Sequence, residues 1–528
     1  MIKKLIFVSL IFTILIAACK TTTQFRENYA TSNALLHSVS CKEDKPFLKA
    51  HLKDGSIVIL KDTWKIDTVE NQITGKGQRY DYNRKLVNFG IQKIPFVEIS
   101  LYETNKKFRN NEDAKIVGLC ILTVANLAGT AICLSNPKAC FGSCPTFYIN
   151  ENDNFHFADA EGFSNAITPS MEYADVDALN NKKITSKYFD LTMKNEALET
   201  HCINDVKLFA FPRLSDERIY HTQSDEFLKC KNIYTLKNAI GKEGDITELL
   251  KKEDRTERFS LSDEQSLNTK EEILLDFENP KLDNQNLGLI LHFRQTLMTT
   301  YLFYSAMGYM GDEVADVFSK VENNNKLYKK SAIDKLGGIE VFAWNDNKNA
   351  WKLVDNIEET GPIAINKRII DLKNFENNNK RIKIKLVLNK GLWRIDYTAL
   401  TNIIEKVKPI EIKPYKILNN GIEDAQALTK LLNPMQHLIS MPGNLFKYNF
   451  ELPKDDTDYE LFLCSKGYYI EWMRDNWLKE KNISKLRQML LRPEQYFRDE
   501  AKPFKMYEKY MEEEFWNSKI ETNQFVTK

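Results

Sequence analysis

The sequence predicts a mainly β protein with α segments, an α+β chain built from several antiparallel β domains. Three observations carry this. Apolar and polar residues alternate with period two in short runs, as in Leu48, Ala50, Leu52 and again in Ile382, Ile384, Leu386, Leu388. The chain holds 30 Phe, 22 Tyr and 7 Trp, an aromatic supply suited to sheet cores. Helical spacing is confined to a few segments. At 528 residues the chain exceeds one domain, and 28% charged residues with 43% hydrophobic ones exclude a disordered chain. The formal net charge is +1 with no basic block, so no electrostatic footprint for nucleic acid exists.

The first nineteen residues set the compartment. Lys3 and Lys4 are a positive start, Leu5 to Ile16 an apolar run, and Ile16-Ala17-Ala18-Cys19 a small-residue cleavage site ending in cysteine. These residues resemble the N-termini of bacterial lipoprotein precursors. The resemblance implies a signal peptide over 1–18, lipidation of Cys19 and anchoring in the membrane through acyl chains. Lys20, where aspartate would favour retention in the inner membrane, points to an outer-membrane lipoprotein in the cell envelope.

Residues 19–45 read as a polar tether. From Pro46 the alternation turns at Asp54-Gly55, a hairpin signal, and residues 46–110 read as a small β barrel or bent sheet. Residues 116–134, IVGLCILTVANLAGTAICL, carry no charge and have the length of a membrane span; a buried apolar helix is the alternative. A span there would place the protein in the inner membrane.

Nine cysteines are present. Lipidation of Cys19 leaves an even number, which an oxidising envelope compartment allows to pair. Cys140 and Cys144 are close enough in sequence for a local disulfide. The same CxxxC offers two thiolates to zinc with His156 or His201, but no second matching pair follows, so no metal site is assigned.

Residues 140–215 read as an antiparallel β module, with strands around Thr146 to Ile149, Asn154 to Phe157, Tyr188 to Met193 and Val206 to Phe211. The stretches Gly142-Ser143-Cys144-Pro145-Thr146-Phe147-Tyr148 and Asn195-Glu196-Ala197-Leu198-Glu199-Thr200-His201 resemble a module of uncharacterised bacterial envelope proteins, which brings no activity with it. Within it Asp159, Glu161, Glu196, Glu199 and His201 form the densest group of proton-transferring side chains. Catalysis by Asp159, Glu161, Glu199 and His201 needs two carboxylates on one cleft wall, or a carboxylate orienting the histidine. Turn caps and strand-end pairs are the plainer use.

Residues 216–270 are charged, as in Lys251-Lys252-Glu253-Asp254-Arg255, and read as a polar linker. Residues 271–410 read as a jelly-roll-like β-sandwich with an inserted aromatic helix pair: Phe293, Leu297 and Tyr301 in one helix, Val314 to Val321 behind an Asp312 cap in the next. Ile382 to Leu388 and Trp393 to Tyr397 flank Asn389-Lys390-Gly391 as a hairpin, with Trp393 facing the core. Residues 411–528 read as a β-hairpin region, turning at Ser465-Lys466-Gly467, and C-terminal helices. Trp472, Arg474 and Trp477 lie close enough for a cation–π edge or a glycan platform. An amphipathic C-terminal helix runs from Pro503 to Trp516 through Phe504, Tyr507, Met511 and Phe515 and is expected to dock on the sandwich.

No phosphate loop, dinucleotide fingerprint, nucleophile elbow, zinc-protease helix or calcium loop is present in the sequence, and no cofactor is assigned. The expectation is a lipid-anchored, non-enzymatic protein that binds or scaffolds an envelope partner, with a glycan-binding or glycan-hydrolysing lipoprotein as the alternative.

Overall fold

The computed structural model describes residues 22–29, 47–52, 56–61, 64–80, 86–109, 145–151, 154–167, 171–179, 186–196, 199–280, 286–311, 335–358, 361–372, 380–440, 444–454, 457–471, 480–506, 508 and 511. The lipobox with Cys19, the apolar segment 116–134, Cys140, Cys144, Val314 to Val321 and the Trp472, Arg474, Trp477 group lie outside the described residues.

The described chain is mainly β and antiparallel, with few helices. A seven-stranded sheet comes first, built from strands between Thr22 and Arg109. Phe47–Leu52 pairs with Ile57–Lys61, and the Asp54-Gly55 turn expected between them lies outside the described residues. Leu48, Ala50, Leu52, Val58, Leu60, Ile73, Ile94 and Ile99 form its core, so the alternation read from sequence places one face inward. The tether expected over 19–45 holds a strand, Thr22–Tyr29, paired with Ile99–Arg109 along its length.

Two further sheets form a sandwich whose strands come from distant parts of the chain. Thr146–Glu151, Asn154–Ala160 and Tyr188–Lys194 share a six-stranded sheet with Lys416–Asn419, Ile422–Glu423 and Leu445–Glu451. Facing it, Glu199–Pro212 pairs with Tyr459–Glu471, which also pairs with Tyr173–Ala178. Phe147, Leu191, Met193, Phe446 and Tyr448 of the first sheet and Leu208, Ala210, Leu461 and Leu463 of the second fill one core. The module expected over 140–215 is therefore half of a domain completed by residues 410–471. The expected turn at Ser465-Lys466-Gly467 is instead mid-strand. Gly467 is there because a Cβ would stand 2.5 Å from the Cys202 carbonyl oxygen and 3.0 Å from the Phe163 ring.

Residues 217–407 are inserted between those halves. The linker expected over 216–270 contains Glu217–His221 and the fifteen-residue strand Phe227–Gly241. Its charges misled the reading because they stand on the wet face: Lys229, Lys231 and Lys237 pair with Glu405, Asp216 and Glu278 at 2.9, 2.7 and 3.1 Å. The inward residues Leu228, Cys230, Leu236 and Ala239 are buried.

Phe227–Gly241 belongs to two structures at once. Its first half pairs with Trp393–Val407, which pairs with Asn286–Gln295, then Asn366–Asp371, then Glu217–His221, which returns to Phe227–Gly241. This ring is a small barrel, closed by the single parallel pair His221 and Arg368. Tyr220, Leu228, Cys230, Ile290, Ile369 and Ala399 fill it. The second half of Phe227–Gly241 leads into an open wing, Lys270–Glu278, Arg381–Asn389, Ile339–Asn345 and Ala350–Ile357.

The sandwich expected over 271–410 is thus a barrel and a wing, and the hairpin expected across Asn389-Lys390-Gly391 does not form. Arg381–Asn389 goes to the wing and Trp393–Val407 to the barrel, with Gly391 turning the chain at φ +77° against Ser262. Trp393 is buried as expected.

Met298–Met310 is the described helix of the expected pair; Phe293 precedes it in a strand. A helix is described at Pro493–Lys505, with Pro493 pre-set at its first turn; most of the helix expected from Pro503 to Trp516 lies outside the described residues. As expected, the described helix docks on the unit of residues 271–410, packing against Met298–Met310 and the core around it through Tyr496, Phe497 and Phe504. No helix among the described residues is long and apolar enough to cross a membrane.

Candidate functional site

The candidate acid–base residues separate into distinct environments. Glu199 and His201 contact each other, Oε1 to Nε2 at 2.7 Å, with both side chains fully buried on the strand Glu199–Pro212. Glu196 accepts from Thr146 Oγ1 at 2.9 Å and from the Tyr148 hydroxyl at 2.8 Å. Glu161 accepts from the backbone N–H groups of Ile363 and Ala364 at 3.2 Å, tying the sandwich to the inserted unit. Burial pushes its carboxyl up to about 8 against those two hydrogen bonds. Glu161 shares its hydrogen bonds with the inserted unit, and Glu199 spends one on His201, so a two-carboxylate wall of Glu161 and Glu199 is not formed by these contacts.

Of these residues Asp159 lines a cleft among the described residues. It shares about 290 Å³ with Glu253, Asp254, Arg255, Ile365, Lys367 and Asp396. The sandwich contributes Asp159; every other wall residue belongs to the inserted unit. Two β-bulges put the carboxylates there. Opposite Phe147 and Tyr148, the partners jump from Ala160 to Phe157, leaving Ala158 and Asp159 unopposed, and Asp159 takes a left-handed φ of 56°. On the barrel strand Trp393–Val407, Ile395 and Tyr397 face consecutive residues Phe293 and His292, leaving Asp396 as the extra residue. A bulge re-aims a side chain that strict alternation would send elsewhere.

The cleft is electrostatically mixed. Arg255 Nη2 donates to Asp159 Oδ2 at 2.5 Å, and Lys367 Nζ to Glu253 Oε1 at 2.7 Å. Asp254 accepts from the Thr256 N–H at 2.9 Å. Asp159 and Asp396 are each 2% exposed, and in each Oδ1 has no hydrogen-bond partner among the described residues. Burial raises the Asp159 carboxyl above its ordinary value despite Arg255 and Lys367. Burial also lifts Asp396, to about 6, helped by the negative charges of Glu253, Glu257 and Asp254 and opposed by the Arg255 N–H. Behind the wall His292 is buried and held neutral, its pKa pushed down to about 3 by burial and by Lys367.

Sequence reasoning missed Asp396, Glu253, Arg255 and Lys367. Asp396 alternates with Trp393, Ile395 and Tyr397, a pattern that assigns it to the face opposite Trp393; at the bulge it is buried instead. Glu253 and Arg255 lay inside the expected linker. Among the described residues no group of three or more His, Cys, Asp and Glu side chains is placed to hold a metal ion. His156 is exposed and His201 is buried against Glu199. The described cysteines Cys202, Cys230 and Cys464 are buried free thiols.

No protein-family model matches the chain, and no curated protein matches it. Among solved structures it is similar to a GH31 alpha-xylosidase from Xanthomonas citri at 8% identity, over 86% of this chain and 38% of that one, with a TM-score of 0.14. The chain spans 38% of the length of that enzyme, and a likeness at this score carries no argument about activity.

Proposed function

We propose that this is a non-enzymatic binding protein of the bacterial cell envelope, anchored by lipid on Cys19, that docks an envelope protein through its N-terminal sheet. The observation that carries the reading is the strand Leu86–Pro95. Among the described residues it pairs only with Gln72–Tyr80, so its other side is a sheet edge. Val87, Phe89 and Ile91 alternate on it at 60, 62 and 79% exposure. Exposed apolar edges are normally blunted because they template pairing with another chain. An extended segment of a partner added to this edge gains main-chain hydrogen bonds and covers the three side chains. A groove of about 720 Å³ lined by Arg79, Val87, Asn88, Ile91 and Lys93 runs beside it and offers polar contacts at its rim.

The internal use of Glu161, Glu196, Glu199 and His201 supports a binding role over hydrolysis, since each is committed to a contact within the protein. The test is photo-crosslinking in cells from a benzophenone residue at position 89. One envelope protein should be captured, and Ile91→Lys should abolish capture while leaving the melting temperature unchanged. Equal capture from position 70, on a turn of the same sheet, would overturn the reading. Separately, Cys19→Ser should move the protein out of the membrane fraction and end its labelling by palmitate.

A further inference from the structure

The cleft between the sandwich and the inserted unit has the chemistry of a binding site, independently of the N-terminal edge. Acidic clusters are usually solvated or paired with neighbours. This one has two buried carboxylates that are not fully paired. Asp159 and Asp396 line the cavity at 2% exposure each, and each keeps an oxygen without a donor among the described residues. A buried acceptor left without a donor loses the hydrogen bonds water would have given it. Both side chains are delivered by β-bulges on different elements, so the cost is incurred twice at one place.

The cations present are already engaged. Arg255 donates to Asp159 Oδ2 and Lys367 to Glu253 Oε1. Once these pairs are formed, Asp254 and Asp396 remain as surplus carboxylates on the wall. A neutral polyol would supply donors but leave that surplus uncompensated. An ammonium group supplies both donors and charge. The volume, about 290 Å³, lies at the small end of ligand sites and suits an alkyl chain over Ile365 with a charged head.

We propose that this cleft binds an organic ammonium group, with the carboxylates of Asp159 and Asp396 as the acceptors of its N–H donors. The ammonium belongs either to a small free diamine or to a lysine side chain, and the chemistry of recognition is the same. Asp159 of the sandwich and Asp396 of the inserted unit meet here, so a bound cation bridges the two.

Calorimetry on the full chain in detergent, with 1,4-diaminobutane as the probe, tests this. Binding is expected with 1,4-diaminobutane, and binding at least tenfold weaker with 1,4-butanediol, the neutral compound of equal length. Asp396→Asn should weaken diamine binding by tenfold or more, and Asp159→Asn is the second variant should the first fail to fold. Tighter binding of N-acetyl-lysine amide than of the diamine assigns a protein-borne ammonium, and the reverse assigns a free amine. Absence of heat with both ammonium probes, equal affinity for diol and diamine, or undiminished binding in a folded Asp396→Asn protein would overturn the proposal.

Discussion

Asp159 and Glu161 lie two residues apart, both 2% exposed, and are used in opposite ways. Glu161 faces a backbone built to receive it. Ile363 and Ala364 donate to it, its own N–H donates to Asp177 Oδ2 at 3.3 Å, and Gly361 must be glycine because a Cβ there would stand 1.6 Å from Glu161 Oε1. Asp159 faces a cleft, holds one arginine that is half exposed, and leaves an oxygen unengaged. A buried carboxylate seated among backbone donors is joinery; one that faces a cavity with an acceptor to spare is available to a ligand. Burial alone does not tell them apart.

The largest effect should therefore fall on Glu161. Glu161→Ala strips two buried N–H groups of their acceptor at the junction of sandwich and barrel, and should cost about 3 kcal/mol in urea unfolding. Asp159→Ala removes an ion pair whose arginine is half in water and should cost about 1 kcal/mol. Equal losses would break the distinction.

The pH dependence sharpens it. The Glu161 carboxyl is raised from 4.5 to about 8 in the folded state. Between those values the folded protein holds a proton that the unfolded chain has released, so stability is full below about pH 4.5 and falls as pH rises toward 8. The slope is at most about 1.4 kcal/mol per pH unit from this group. Glu161→Gln, which cannot ionise, should flatten the fall when denaturation midpoints are measured from pH 5 to 8. A slope unchanged by the substitution would show that other groups cause it.

Asp396 follows the same sign over a lower window, its carboxyl being raised from 3.8 to about 6. Above pH 6 the fold holds an ionised carboxylate that its surroundings disfavour. Asp396→Asn should thus stabilise the protein by about 1 kcal/mol at pH 7, the pattern of a residue kept for binding at the expense of stability. A thermal melt checks it, and a fall in melting temperature would place Asp396 with Glu161 as a structural group.

The fold class was legible in the sequence because alternation is a local property: Leu48 to Leu52 and Ile382 to Leu388 each show which face is buried. Partner choice is not local. Tyr459–Glu471 pairs with Glu199–Pro212 across the entire inserted unit, and nothing within either strand names the other. Glycine and lysine in Ser465-Lys466-Gly467 looked like a turn, but Gly467 answers a close approach by the Cys202 carbonyl, visible only once the strands are side by side. Charge misled in the same way at Lys229, Lys231 and Lys237. The site was partly legible, in Asp159; its counterpart Asp396 was hidden because a one-residue bulge reverses the face that alternation assigns.

The smallest effect belongs to the N-terminal edge, and its smallness is the point. Phe89 is 62% exposed and contacts water over most of its ring, with Lys76 near one face at 5.9 Å. Phe89→Lys should change unfolding free energy by less than about 0.5 kcal/mol, since an exposed side chain away from cap, core and network contributes little to its own fold. The same substitution should remove most of the partner captured from the neighbouring position 91, because a lysine on an edge strand disfavours an added strand. Stability unchanged with capture lost is the signature of a surface kept for another molecule. A loss of stability of 2 kcal/mol or more on the order-of-magnitude scale of buried apolar side chains would instead mean that Phe89 is covered within this chain, and the edge would no longer be free for a partner.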